Sequence, residues 1–288
     1  MDRLTIFWLV HLALLGLFGL EMLLLLWIWL GARVPGLPRD ASRGHKLGVI
    51  IGRVLRSIFS HRLGTFMKAL VLDGMVHRQL FRVSKLRWCA HTAVFWSFLV
   101  LGVFSTITGV AVEFLNPHPE HSLSPIVFPV QHPIVEALVD MDHPVMAVLN
   151  EGFGLLLLAG LALVFWRRYL QRDAQLRTQG PDNAILVLLA VIVVGGYVLE
   201  ALRFLAEGVP ASLAIFGPLG YGLALLLGFL PLSQETWAGI HYWAFFAHFI
   251  SVSLLLFYLP FSKFFHIVSS PLVVALNTIL VGEQGGVE

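Results

Sequence analysis

The sequence predicts an all-α integral membrane helical bundle. It has five transmembrane helices and one further apolar segment, 211–231, that is interfacial or re-entrant. Three observations predict this. Hydrophobic residues make up 58% of the 288 positions and charged residues 12%, and mean hydropathy is +0.83. A soluble domain carries about 25% charged residues, so a bilayer has to solvate this apolar surface. Second, five apolar runs reach the length of about 20 residues that a spanning helix needs. Third, 16 of the 19 Lys and Arg residues fall in two short stretches between those runs.

The first run is residues 5–30. It is longer than the apolar core of about 7–15 residues in a cleavable signal and has no clear small-residue cleavage site, so it reads as a spanning helix. The loop at 31–87 follows, with 12 basic residues in 33–87. Within it, LGVIIGRVLRSIF at 47–59 has the pattern of an amphipathic helix lying flat on the membrane. Residues 88–115 form the second span and 145–166 the third. Between them, 116–144 has no Lys or Arg but carries Glu120, Glu136, Asp140 and Asp142. Arg167, Arg168, Arg172 and Arg177 follow the third span. The fourth span is 184–205 and the last is 240–265. The apolar segment 211–231 contains Gly217-Pro218-Leu219-Gly220, which breaks a helix. By the positive-inside rule the basic loops are cytoplasmic and the acidic loop is outside. The N-terminus is then outside and, with 211–231 not spanning, the C-terminus is cytoplasmic.

Cys89 is the single cysteine. These residues therefore hold neither an intrachain disulfide nor a four-cysteine iron–sulfur cluster. There is also no Cys-x-x-Cys-His run for covalent heme attachment.

The informative polar residues are histidines. Four of the 12 are read at membrane depth: His11, His91 and His248 within the apolar runs, and His266 at the end of the last. An ionisable group at membrane depth is a functional-site hypothesis. His248 and His266 are 18 residues apart; on one helix that is five turns, the same face, and about 27 Å along the axis. Pro260 between them is expected to kink the helix. By depth, His91 pairs with His266 near the cytoplasmic face and His11 with His248 near the outer face. Paired imidazoles suit axial ligation of b-type hemes, since two neutral nitrogens leave no open position on the iron. His241, seven residues before His248, is a rival ligand, a proton-exchanging group at a quinone, or a plain interfacial histidine. His118, His121, His132 and His143 read as solvated residues of the outer loop, and His45, His61 and His77 as residues of the basic loop. Among other polar residues in the spans (Glu21, Glu113, Glu151, Glu200, Arg203), Glu200 and Arg203 have i,i+3 spacing and are expected to pair. Glu113 is a candidate proton relay.

The run HFISVSLLLFYLPFSKFFHIVSSP, 248–271, resembles the last helix of the respiratory nitrate reductase gamma subunit. So does FWRRYLQRDAQLRTQGPDNAILVLL, 165–189, for the connection between the third and fourth helices. The resemblance implies that His248, His266 and His91 ligate hemes and that the last helix ends in the cytoplasm. That family's second histidine on the second helix is Leu101 here. IFWLVH (6–11), HTAVFWSFLVL (91–101), LEALR (199–203), GPLGYGLA (217–224) and HYWAFFAH (241–248) resemble the membrane part of heterodisulfide-reductase-like proteins, including electron-transfer-flavoprotein:menaquinone oxidoreductases. The helix 1 histidine of that pattern is His11. These relatives carry or associate with a cysteine-rich cytoplasmic iron–sulfur module. With Cys89 alone, this chain is expected to exchange electrons with a separate iron–sulfur subunit docked on the basic loops.

The expectation is therefore a single diheme cytochrome b domain over 1–288 in a bacterial or archaeal cytoplasmic membrane. Its cofactors are two b-type hemes and a quinone, menaquinone or ubiquinone, and nucleic acid is not an expected partner. Two alternatives stand beside it: a proton or ion transporter using the membrane His and Glu residues, and a heme-free membrane anchor.

Overall fold

The computed structural model describes residues 3–275 apart from 35, 61, 62, 120, 121, 123, 125, 173–179, 268 and 272. His61, Arg62, Glu120, His121 and Arg177 lie outside the described residues, as does the segment 276–288. Among the described residues the chain is all-α. Five of its helices are long and apolar enough to cross a membrane: Leu9–Trp29, Lys85–Leu115, Pro144–Leu170, Asp182–Glu207 and Gln234–Phe261. This is the bundle expected from the sequence. The chain divides into two compact units, one of Met1–Trp88 with Leu256–Glu288, the other of Cys89–Leu255.

The first unit opens with α1 (Arg3–Trp29). None of its apolar window is buried, as suits a helix solvated by lipid. Lys46, itself buried, donates to the Ala32 carbonyl at 3.0 Å, just past the end of α1. A cation there satisfies a carbonyl that has no helical partner. The basic loop contains the expected amphipathic helix as α2 (Arg43–Ile58), started by Ser42, whose side chain accepts from the His45 N–H at 3.3 Å. Ile51 and Leu55 are exposed on it, and the Arg43 guanidinium lies 4.1 Å from the Trp27 ring centroid. α3 (Leu63–Lys68) runs into a π-helical stretch, Ala69–Met75. The chain then turns through His77, in the left-handed region at φ 54°, into α4 (Arg78–Val83). Trp88 Nε1–H donates to the Val76 carbonyl at 2.6 Å and so pins that turn.

The second unit holds most of α5 (Lys85–Val110), which ends in a π-helical turn, Ala111–Leu115. The outer loop folds as α6 (Pro133–Val139) and leads to α7 (Pro144–Phe165), which ends in another π-helical turn, Trp166–Leu170. α8 (Gly180–Glu207), α9 (Ala211–Ala214), α10 (Pro218–Leu227) and α11 (Gln234–Tyr258) complete the order. Gly160 lets α7 meet α5: a Cβ there would lie 2.9 Å from Val94 Cγ2. Ala201 and Phe204 of α8 form a buried cluster with Ala214 and Ala224, so 211–231 doubles back along α8. α10 has 10 residues and is about 15 Å long, half of what a crossing needs.

Two expectations are corrected. The last helix does not run unbroken to His266. α11 stops at Tyr258, short 3-10 turns occupy Leu259–Phe261 and Lys263–Phe265, and Ser262 between them is extended at φ −99°, ψ 159°. Pro260 removes a backbone donor, and the Ser262 side chain accepts from the Phe264 N–H at 3.2 Å to start a new turn. The five-turn relation between His248 and His266 therefore does not hold. Arg203 and Glu200 attract each other through charge alone, without a direct ion pair. The Arg203 guanidinium takes Asp142 at 2.8 Å and Glu207 at 3.0 Å.

Candidate functional site

His248 sits in the middle of α11, and its surroundings within the second unit are specific. The Nδ1–Cε1 edge of the ring lies over Gly195 and Gly196 of α8. A Cβ at Gly195 would be 3.2 Å from Nδ1, and one at Gly196 would be 3.6 Å from Cε1. Nδ1 is buried and has no hydrogen-bond partner. A polar atom buried without a partner costs stability; with Nδ1 against the α8 backbone, Nε2 is the nitrogen that could take a ligand. His241, on the same helix, is half-buried. Aromatic rings fill the stretch between the two histidines. Tyr242 and Phe246 meet at 5.2 Å between ring centroids, and Phe245 stacks on Phe249 at 6.5 Å.

His91 lies near the start of α5, half-buried, with the Phe95 ring edge-on at 6.3 Å. The neighbouring Ala93 and Val94 seat this stretch of α5 on α7 through Gly160.

In the first unit, His266 is exposed just past the break in the last helix, and its Nδ1 donates to the Lys263 carbonyl at 2.6 Å. A carbonyl only accepts, so Nδ1 carries a proton there, and in the neutral ring Nε2 is the nitrogen that could ligate a metal. His11 is half-buried on α1. His77, expected as a plain loop residue, is instead held in a strained turn. Its pKa lies below the ordinary value of 6.5, through burial first, and through the charge of His266 as well.

Two glutamates converge on the first turn of α10. Glu151 of α7 is buried, and its carboxylate accepts from the Leu219 N–H. The Glu200 carboxylate lies against Gly217 and Gly220: a Cβ at Gly217 would be 2.7 Å from its Oε1. Tyr197 donates from its hydroxyl to the Glu151 carbonyl at 3.0 Å. Glu113, expected as a relay, is buried and binds the outer loop. It accepts from the Ser122 hydroxyl at its carbonyl, 2.6 Å, and from the Ser124 N–H at its carboxylate, 3.1 Å.

The residues present fit an iron–porphyrin group. His248 offers an imidazole on a bare glycine surface, and His266 one in the ligating tautomer. Such a site draws only two protein ligands. Among the described residues no group of three or more His, Cys, Asp or Glu is placed to hold a metal ion. Sequence reasoning did not single out Gly195-Gly196. Their signal was available, as two adjacent glycines inside a long apolar run.

Residues 78–281 match the family described as nitrate reductase gamma subunit. The chain belongs to that family. Membership places it among multi-pass membrane redox proteins. It is also similar to a subunit of the dihydromethanophenazine:CoB–CoM heterodisulfide reductase of Methanosarcina acetivorans, at 24% identity over 86% of this chain and 82% of the relative. The corresponding protein of Methanosarcina mazei is 23% identical over 86% of this chain and 83% of the relative. No solved structure matches the chain.

Proposed function

We propose that the chain is the membrane cytochrome b subunit of a quinone oxidoreductase complex, one membrane-embedded diheme domain over 1–288 that passes electrons across the bilayer between a cytoplasmic iron–sulfur partner and a quinone. The observation that carries this reading is His248. It is an imidazole inside a membrane-crossing helix, its Nδ1–Cε1 edge seated on Gly195 and Gly196, which leaves Nε2 as the nitrogen to ligate iron. In this reading His91 and His266 hold the inner-leaflet heme, and His11 and His248 the outer one. The hemes supply reversible one-electron ferric–ferrous exchange.

The chain supplies the rest. Two neutral imidazoles per heme would leave the iron no open position for oxygen chemistry. The Lys263 carbonyl holds the His266 tautomer. Quinone chemistry couples two electrons to two protons, so a titratable group has to stand near the outer site. His241, two turns before His248, is assigned that proton exchange with menaquinone or ubiquinone. The basic loops at 33–87 and 167–177 form the docking face for the iron–sulfur subunit, where opposite charge steers association. The name of the Methanosarcina relatives pairs a dihydro carrier with a disulfide, in keeping with a chain that stands between two redox partners. The reading places the protein in a bacterial or archaeal cytoplasmic membrane, N-terminus outside and C-terminus inside.

A reduced-minus-oxidised spectrum with pyridine hemochrome quantitation tests it. The purified chain is expected to carry about two hemes b. His248→Ala, His266→Ala, His91→Ala and His11→Ala each lose one, while His241→Ala keeps both and slows quinone turnover. Loss of a heme in His241→Ala instead of His11→Ala moves the outer ligand. A colourless, folded wild-type protein overturns the reading in favour of a transporter or a heme-free anchor.

A further inference from the structure

We propose that Gly195 is the positioning residue that fixes the orientation of the His248 imidazole, and with it the axial ligand of the outer heme; this rests on the reading above. α8 is 28 residues long, and adjacent glycines in its interior weaken it relative to alanine. Contact with His248 accounts for Gly195. An added methyl would lie 3.2 Å from Nδ1, closer than an ordinary carbon–nitrogen contact, whereas at Gly196 it would lie 3.6 Å from Cε1, at ordinary contact distance. The ring is thus seated most tightly at one residue.

Metal-ligating histidines are usually oriented by a hydrogen bond from their second nitrogen. His266 follows that rule through the Lys263 carbonyl. His248 does not, since its Nδ1 is buried without a partner. The bare backbone of α8 takes over the task by shape. The two proposed ligands of the last helix are therefore held by different devices, one by a hydrogen bond and one by a glycine seat.

The test compares Gly195→Ala, Gly196→Ala and Gly102→Ala in the full chain. The last lies on α5 with open space at its Cβ position. Two readouts are taken: low-temperature EPR of the ferric hemes, and thermal unfolding of heme-depleted protein in the His248 and His248→Ala backgrounds. Gly195→Ala is expected to shift the low-spin signal of one heme, Gly196→Ala to shift it less, and Gly102→Ala to leave it in place. In heme-depleted protein Gly195→Ala lowers Tm when His248 is present. It raises Tm in His248→Ala, where only the gain in helix propensity remains. An unshifted signal without coupling between the two substitutions overturns the proposal and leaves the heme reading standing. Equal effects at Gly195 and Gly196 also overturn it. If the wild type binds no heme, the reading above falls, and the unfolding cycle alone decides whether Gly195 seats the imidazole.

Discussion

His77 shows what one residue contributes at the smallest scale. A non-glycine residue at φ 54° is uncommon, and here Trp88 holds the adjoining carbonyl in place. Nearby Asp73 is engaged by Arg78 at 3.1 Å, and His266, whenever its ring is protonated, adds repulsion to the effect of burial. The folded pKa of His77 is below its ordinary 6.5, so in the interval between the two values the unfolded chain binds more protons. Stability from this group is complete above about pH 6.5 and falls as pH drops through that interval. His77→Asn tolerates the left-handed turn and cannot titrate. Its Tm is expected to fall less than that of the wild type between about pH 7.5 and 5.5. Scanning calorimetry in detergent checks this. His248 was legible in the sequence because an imidazole in an apolar run stands out. His77 was not, since the Trp88 bond and the charge of His266 depend on chain folding around it.

At the scale of elements, the turn into α10 depends on a side chain from α7. Leu219 N–H is one of the first-turn donors that a helix cannot satisfy itself, and the Glu151 carboxylate accepts it. Glu151→Leu leaves that donor unpaired and is expected to cost about 1–3 kcal/mol. Glu151→Gln keeps an acceptor oxygen and costs less. Denaturation of both variants in detergent micelles distinguishes them. The helix-breaking Gly217-Pro218-Leu219-Gly220 run was readable, because glycine and proline act locally. The partner of Arg203 was not. Spacing pointed to Glu200 three residues earlier, yet the guanidinium reaches Asp142, 61 residues away in sequence, and Glu200 turns toward glycines that leave it room. Likewise Pro260 announced a kink, but the restart at Ser262 required the hydrogen bond to Phe264.

For the whole molecule, the five spans were legible because length and hydropathy suffice to name a crossing helix. The proposed orientation has a native probe. Cys89 is exposed near the start of α5, on the side given to the cytoplasm. A membrane-impermeant maleimide is expected to label it in inside-out vesicles and to leave it unlabelled in right-side-out ones. The opposite pattern inverts the topology and moves the partner-docking face with it. The division into two units with boundaries at Trp88 and Leu255 had no counterpart in composition, because both boundaries fall inside apolar helices.

The wide π-helical turns at 69–75, 111–115 and 166–170 bear on how genes of this kind change length. Each of them stands at the end of a helical run and not inside one. A codon gained or lost there is absorbed at a helix end, and the phase of each preceding helix, α5 with His91 among them, is kept. When many homologous sequences are aligned, single-residue gaps are expected to gather at these three places and to avoid the stretches around His91 and His248.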